Sequence, residues 1–406
     1  MSDGRCQRND DSRSKIMSEY ELLLYGDVWD AKRGRQRGKW VAVEGDEIEG
    51  VYDEKPGPAA EVKEVELVTP GLIDLHVHLV WDGTGDPVET LRRQSEQEQT
   101  IHAVAMAREQ VEGGVTTVRD IGSTHDIAIS VADASRRGDI TGPRIYASGQ
   151  TIIISGGHDP FWGMESDGVD AVRSSVRKQR DKGARVIKIS ATGGVYGQAV
   201  GEDPGMSELS REEVIAAVEE AHRFDIPVAV HAVGTEGIEN SIEAGVDTLE
   251  HGNLMTSESL EKMVEKDIAY EPTLYIYKTV AEGEGDIPQY AYENAQRVSD
   301  RHWEVFEEAI ESDVRILAGS DAGSPNIPHP ALHHELRCLV DGGMTEEEAL
   351  TAATSTPAEE LGRPELGVLE EGTPADIVGF ADDPLADIDV TGSPSVVVAD
   401  GDVVTE

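Results

Sequence analysis

The arrangement of apolar and polar positions divides the chain into three textures. From Tyr20 to Leu67 it consists of short strand-like pieces with turn residues between them: Glu21-Leu-Leu-Leu-Tyr25, Lys39-Trp-Val-Ala-Val43 and Ile48 to Tyr52. The last stretch repeats that texture in Ala375 to Phe380 and Pro394 to Val404, where Asp400-Gly401 signals a hairpin turn. Between these ends, strand-like runs alternate with amphipathic helices, the pattern of βα units and a parallel sheet. Candidate strands end near His78 and at Asp120, Ser148, Ser190, His231, His251, Thr273 and Asp321. The segment Ser210 to His222 shows the helical part: a serine N-cap followed by apolar residues at helical spacing.

Eight such units in about 250 residues predict an α/β fold, a (β/α)8 TIM-like barrel whose chemistry sits at the carboxyl ends of its strands. The two β-rich ends are expected to join as one small β-sandwich domain. The predicted divisions are a disordered leader over 1–19, the first part of the small domain over 20–66, the barrel over 67–365 and the second part over 366–406. Met17 is an alternative start within the polar leader.

Charge changes the picture by excluding partners. Eighty acidic residues against 35 basic ones give a formal charge of −45, spread over the whole length. Nucleic acid and anionic membrane surfaces both require positive charge, so neither is an expected partner. The acidity predicts a strongly hydrated surface suited to high salt, where repulsion is screened within a few Å. Two cysteines, Cys6 and Cys338, build neither a disulfide framework nor a cysteine zinc site. No run resembles a signal peptide or approaches the length of a membrane span, which predicts a cytoplasmic protein. It is expected to form a homo-oligomer.

The chemistry begins at Gly71-Leu-Ile-Asp-Leu-His-Val-His78. Alternation in a strand sends residues two apart to one face, so His76 and His78 converge. Lys188, His231, His251 and Asp321 also fall at or near the predicted ends of strands, around one barrel mouth. Imidazoles and a carboxylate without cysteine suit a catalytic divalent metal with an open position. Lys188 is the odd member. Its neighbours Val186, Ile187 and Ile189 bury it, where an unpaired ammonium costs several kcal/mol or becomes neutral. It fits among cations only if neutral, distant, or converted by carbon dioxide to a carbamate.

These segments resemble the amidohydrolase superfamily, in the binuclear branch whose fourth strand carries a carboxylated lysine. The matching pieces are the His-x-His above, Val186-Ile-Lys-Ile189, Val230-His-Ala232, Leu249-Glu-His-Gly252 and Ala318-Gly-Ser-Asp321. Met344 to Ala358, Leu361-Gly362 and Gly372 to Val378 are similar to the closing helix and returning strands of imidazolonepropionase-related members. The resemblance implies a metal-dependent amidohydrolase that cleaves a C–N amide bond in a dipeptide-like or N-acyl amino-acid substrate. It implies two divalent ions, zinc foremost: His76, His78 and Asp321 on the first, His231 and His251 on the second, carbamylated Lys188 on both. A hydroxide bridging the metals would be the nucleophile, and Asp321 would move its proton to the leaving amine.

Three further side chains are expected at the substrate: His158 on the glycine turn Ser155 to Asp159, also a catalytic candidate, then Tyr196 and Tyr275. Arg119 and Asp120 read as a structural ion pair. Val233 stands where peptidase-like members carry an aromatic or polar residue. The loops offer no obvious arginine cluster to hold a substrate carboxylate, with Arg144 and Arg173 left open for that part. Two other readings stand beside the first. A mononuclear cyclic-amide hydrolase or deaminase needs a further carboxylate after the fifth strand, for which Glu236 is available. A catalytically silent scaffold would have lost ligands, whereas every ligand position here is filled.

Overall fold

The computed structural model describes residues 20–197, 201–283 and 286–405; the expected leader, with Cys6 and Met17, lies outside them. The chain opens with β1 (Tyr20–Asp30), β2 (Gly34–Glu44), β3 (Glu47–Tyr52) and β4 (Ala59–Pro70). The middle supplies β5 (Leu72–Val77), β6 (Val115–Asp120), β7 (Arg144–Ala147), β8 (Ile152–Ile153), β9 (Met164–Glu165), β10 (Ile187–Ser190), β11 (Val228–Ala232), β12 (Thr248–His251) and β13 (Ala269–Glu271). The end returns as β14 (Ile377–Phe380), β15 (Val396–Ala399) and β16 (Asp402–Thr405).

Both ends of the chain meet in one seven-stranded sheet, ordered β16-β15-β14-β4-β1-β2-β3. β4 shows how this sheet hands over to the rest. Its first eight residues alternate between half-buried and exposed, and its last four are all buried, leading directly into the wholly buried β5. Leu22, Leu24, Val43, Val68, Ile377 and Val398 share one apolar cluster. The far edge also approaches the returning chain: Gly372 donates its N–H to the Ile48 carbonyl, and Ala375 to that of Asp46.

The middle strands are parallel and form two ladders, β5-β6-β7 and β13-β12-β11-β10-β8-β9. β5, β6, β10, β11 and β12 are buried at every position, as strands covered on both faces must be. The helix Arg211–His222 starts as expected, with Ser210 and Glu213 completing a capping box. β8 and β9 were not expected, since two residues each are too few to show a period.

The expected eighth strand, Arg315 to Asp321, forms no ladder. It makes isolated bridges, Ile316 with Tyr270 and Ala322 with Val77. Two local constraints explain this. A Cβ at Gly319 would overlap Glu271 Oε1 and His76 Cβ, so the segment presses close to its neighbours. Asp321 then turns to a φ of 55°, outside the extended region. Backbone bonds nevertheless cross both gaps between the ladders: Asp321 donates to the His76 carbonyl at 2.8 Å, and Arg185 to that of Ala147 at 2.9 Å. Among the described residues no helix is long and apolar enough to cross a membrane.

Arg144 joins the parallel part to the terminal sheet. Its Nε donates to Asp376 at 2.8 Å and its Nη2 pairs with Asp400, so it is committed far from the strand ends that carry the histidines. Arg173 is likewise held by Glu219 and Glu220. Neither lines the cavity that holds the histidines, in keeping with the absence of an arginine cluster in the loop sequences. Because the Asp376 side chain is 3% exposed, Arg144→Ala strands a buried carboxylate. The expected loss is about 3 kcal/mol in a denaturant melt, with metal content unchanged.

Candidate active site

The carboxyl ends of β5, β10, β11 and β12 and the Asp321 turn bring His76, His78, Lys188, His231, His251 and Asp321 to one cavity. All six are buried. Nε2 of His78 lies 3.2 Å and Nε2 of His76 3.8 Å from Asp321 Oδ1. Ligand atoms of these three lie within 4.8 Å of one another, a spacing one cation can fill. The ring of His251 is 5.1 Å from His76 and 4.7 Å from His231, so the four imidazoles form a continuous arc.

Each ring has one nitrogen committed to the protein. His76 Nδ1 is 3.1 Å from a Glu250 carboxylate oxygen, and His78 Nδ1 is 3.0 Å from the Gly122 carbonyl. His231 Nε2 is 3.2 Å from the Gly193 carbonyl. His251 Nδ1 is 2.7 Å from Thr273 Oγ1, whose proton goes to the Pro272 carbonyl. All four partners act as acceptors, so each committed nitrogen carries the hydrogen, and in His76, His231 and His251 the other keeps a lone pair. Burial drives His76 down to about 4 and His231 and His251 well below the usual histidine value. His78 departs from this: burial opposes protonation, but its hydrogen bond to Asp321 and that residue's charge raise it. Asp321 is held low because His76 and His78 outweigh its burial.

Lys188 sits beside this arc, 4% exposed, and its Nζ has no hydrogen-bond partner among the described residues. Burial lowers its pKa, Glu250 opposes that and Arg119 adds to it. The side chains therefore fit divalent cations: imidazole lone pairs, a low-pKa carboxylate, and an orphaned amine that no protein group satisfies.

Beneath the histidines lies a charge network that the sequence reading missed. Arg119 does not pair with Asp120; it donates to Glu250 at 3.0 Å, Glu271 at 2.6 Å, Thr248 at 2.9 Å and the Leu75 carbonyl at 2.6 Å. Strand alternation accounts for the correction, since adjacent residues of β6 face opposite sides. Asp120 instead accepts from the Leu79 N–H at 2.9 Å and fixes the turn after His78. Asp74 ties β5 to the last turn, accepting from Ser320 N–H and from its hydroxyl. His76 also belongs to a second close group with Glu250 and Glu271, but there the guanidinium of Arg119 supplies the positive charge.

Of the three expected substrate residues, two line the cavity. His158 stacks on His231 at 4.1 Å and is gripped by Glu202 at 2.5 Å and Asp159 at 3.3 Å. Burial works against its charge, but Asp159 and Glu202 prevail and raise it to about 9. Tyr196 lines the cavity with its ring while its hydroxyl donates to Asp86 at 2.6 Å. Tyr275 is outside the cavity lining, stacked on His334 at 4.6 Å; Tyr277 lines it instead, 5.5 Å from His251. Two residues of one helix separated by about 200° cannot both face inward, and the phase favours Tyr277. Trp81 was missed as well; it packs 4.2 Å from Trp162, which stacks on His78. His302 is buried against Tyr277. Glu236 is exposed on the helix Thr235–Ala244 and absent from the cavity lining.

Residues 67–404 match the amidohydrolase family. The chain belongs to that family. It is a hydrolase of carbon–nitrogen bonds. The chain is 32% identical over 366 residues to the ochratoxinase of Aspergillus niger, spanning 82% of this chain and 74% of that one. Imidazolonepropionase of Geobacillus thermodenitrificans is 26% identical over 400 residues, covering 90% and 85%. A crystal structure of an Xaa-Pro dipeptidase with bound methionine in its active site superposes with a TM-score of 0.86 at 30% identity, covering 94% of this chain and 99% of that one. The structural relatives are α/β amidohydrolases of the TIM-barrel type.

The network under His76 yields a stability test. Arg119→Leu leaves Glu250 and Glu271 buried without a counter-charge, and the expected cost is about 3 to 5 kcal/mol by denaturant melt. A loss below about 1 kcal/mol would show that the carboxylates do not depend on the guanidinium.

Proposed function

We propose that this amidohydrolase is a binuclear metal enzyme that cleaves an amide bond in a dipeptide-like or N-acyl amino-acid substrate. One observation supports the reading above the rest: a buried amine without a partner stands among four imidazoles whose free nitrogens face the same cavity. A neutral amine has the lone pair needed to add to carbon dioxide, and loss of its proton leaves an anionic carbamate. His76, His78 and Asp321 would hold one ion, His231 and His251 a second, and carbamylated Lys188 both. Zinc suits that nitrogen and oxygen set. Bound there, divalent cations supply acidified water and polarise the scissile carbonyl.

The remaining work falls to the chain's own residues. The Asp321 carboxylate takes the proton released from the attacking water and delivers it to the leaving nitrogen. His158, kept protonated between Glu202 and Asp159, turns its charge toward the substrate carbonyl oxygen. Trp81, Tyr196 and Tyr277 wall the cavity against water. In the same reading the two parallel ladders close as a (β/α)8 barrel, and the terminal sheet folds over its apolar cluster as a sandwich. The acidic chain works in a salty, reducing cytoplasm. The mononuclear deaminase reading loses its carboxylate, because Glu236 faces away from the cavity.

Metal analysis tests this directly. Wild-type protein loaded with zinc and dialysed should hold about two ions per chain, and Lys188→Ala about one or fewer with its circular dichroism preserved. Equal metal content in the two proteins would rule out a bridging lysine. Asp321→Asn should lower kcat by about 10²- to 10⁴-fold on any amide that the wild type hydrolyses. Undiminished turnover would remove Asp321 from the proton path.

A further inference from the structure

The cavity wall carries two buried polar atoms that neither metal binding nor the proposed chemistry uses. One is Asp159 Oδ1, an acceptor with no partner; the other is Trp81 Nε1, a donor with no partner on a side chain 3% exposed. Both residues line the same cavity as the histidines. A buried orphan is costly, and two of opposite polarity facing one cavity match a ligand with complementary groups.

Charge indicates which groups. His158 is flanked by two carboxylates, Glu202 at 2.5 Å and Asp159 at 3.3 Å, so acidic side chains outnumber basic ones at this wall. Asp159 turns Oδ2 to His158 and leaves Oδ1 unpaired among the described residues. Among the described residues no arginine lines the cavity, and the buried Lys188 is set among the histidines. Asp159 also holds a φ of 57°, a left-handed conformation that costs energy for a residue other than glycine and often marks a working position.

We infer that Asp159 binds the free α-ammonium of the substrate, while the Trp81 indole N–H donates to an oxygen at its other end. The preferred substrates are therefore unblocked dipeptides, not N-acyl amino acids. This rests on the amide-hydrolase reading and narrows it.

The test compares alanyl-phenylalanine with its desamino analogue, propionyl-phenylalanine, which lacks only the ammonium. Zinc-loaded wild type should hydrolyse the dipeptide with a kcat/KM about ten- to a hundredfold higher. Asp159→Asn should remove that preference by slowing the dipeptide more than the analogue, since any weakening of the His158 charge acts on both compounds alike. Asparagine tolerates the left-handed backbone, so the variant should fold, and an unchanged melting curve confirms it. Trp81→Phe keeps an aromatic ring and should raise KM for both compounds. Equal rates for the pair in the wild type, or an equal loss for both in Asp159→Asn, would overturn the inference and leave amide hydrolysis standing. Hydrolysis of neither compound, nor of any other dipeptide or N-acyl amino acid, would overturn the amide-hydrolase reading itself.

Discussion

The structure turns on a lysine amine that is buried without a partner. Lys188 extends from β10 into a space where water cannot reach it and no carboxylate accepts its hydrogens. Holding an ammonium there would be costly, and the surroundings push the group toward its neutral form. The fold bears that cost because the neighbouring charges are settled among themselves. Arg119 binds Glu250 and Glu271, and Glu250 in turn fixes the hydrogen of His76. The result is a cavity in which burial keeps His76, His231 and His251 neutral, each with a lone pair free to receive a cation instead of a proton.

Preorganisation of this kind uses backbone geometry as well as side chains. His251 and Asp321 both adopt positive φ, at 71° and 55°, immediately where their strands end. Those turns swing the side chains into the cavity, and the strain is offset by the packing of β5, β12 and the last turn around them. Gly319 lets that turn come close enough for Asp321 to donate its N–H to the His76 carbonyl. The segment gives up ladder pairing in return, which is why a strand-like stretch of sequence is present as bridges only.

Much of this was legible because strand chemistry is local. His76 and His78 sit two apart in an apolar run, and period-two alternation brings them together without knowledge of the rest. His231, His251 and Lys188 end similar runs, so their convergence follows from parallel strands ending at one mouth. The network below was not legible. Arg119 and Asp120 are neighbours in sequence, yet they face opposite sides of β6, and the partners of Arg119 lie on β12 and β13. Tyr277 and Tyr275 differ only in helix phase, which the uneven apolar pattern of Leu274–Glu282 does not set. Trp81 and Trp162 lie on separate loops, where periodicity carries no signal. In this chain the candidate metal residues are thus legible from strands, and the residues around them that lie on loops are not.

The central claim is that Lys188 is an uncharged nucleophilic amine, available for carboxylation. Zinc-loaded protein equilibrated with ¹³C-bicarbonate and examined by ¹³C NMR tests it most directly. The account predicts a carbamate carbon resonance that disappears in Lys188→Ala. Absence of that resonance from fully metallated wild-type protein would contradict it.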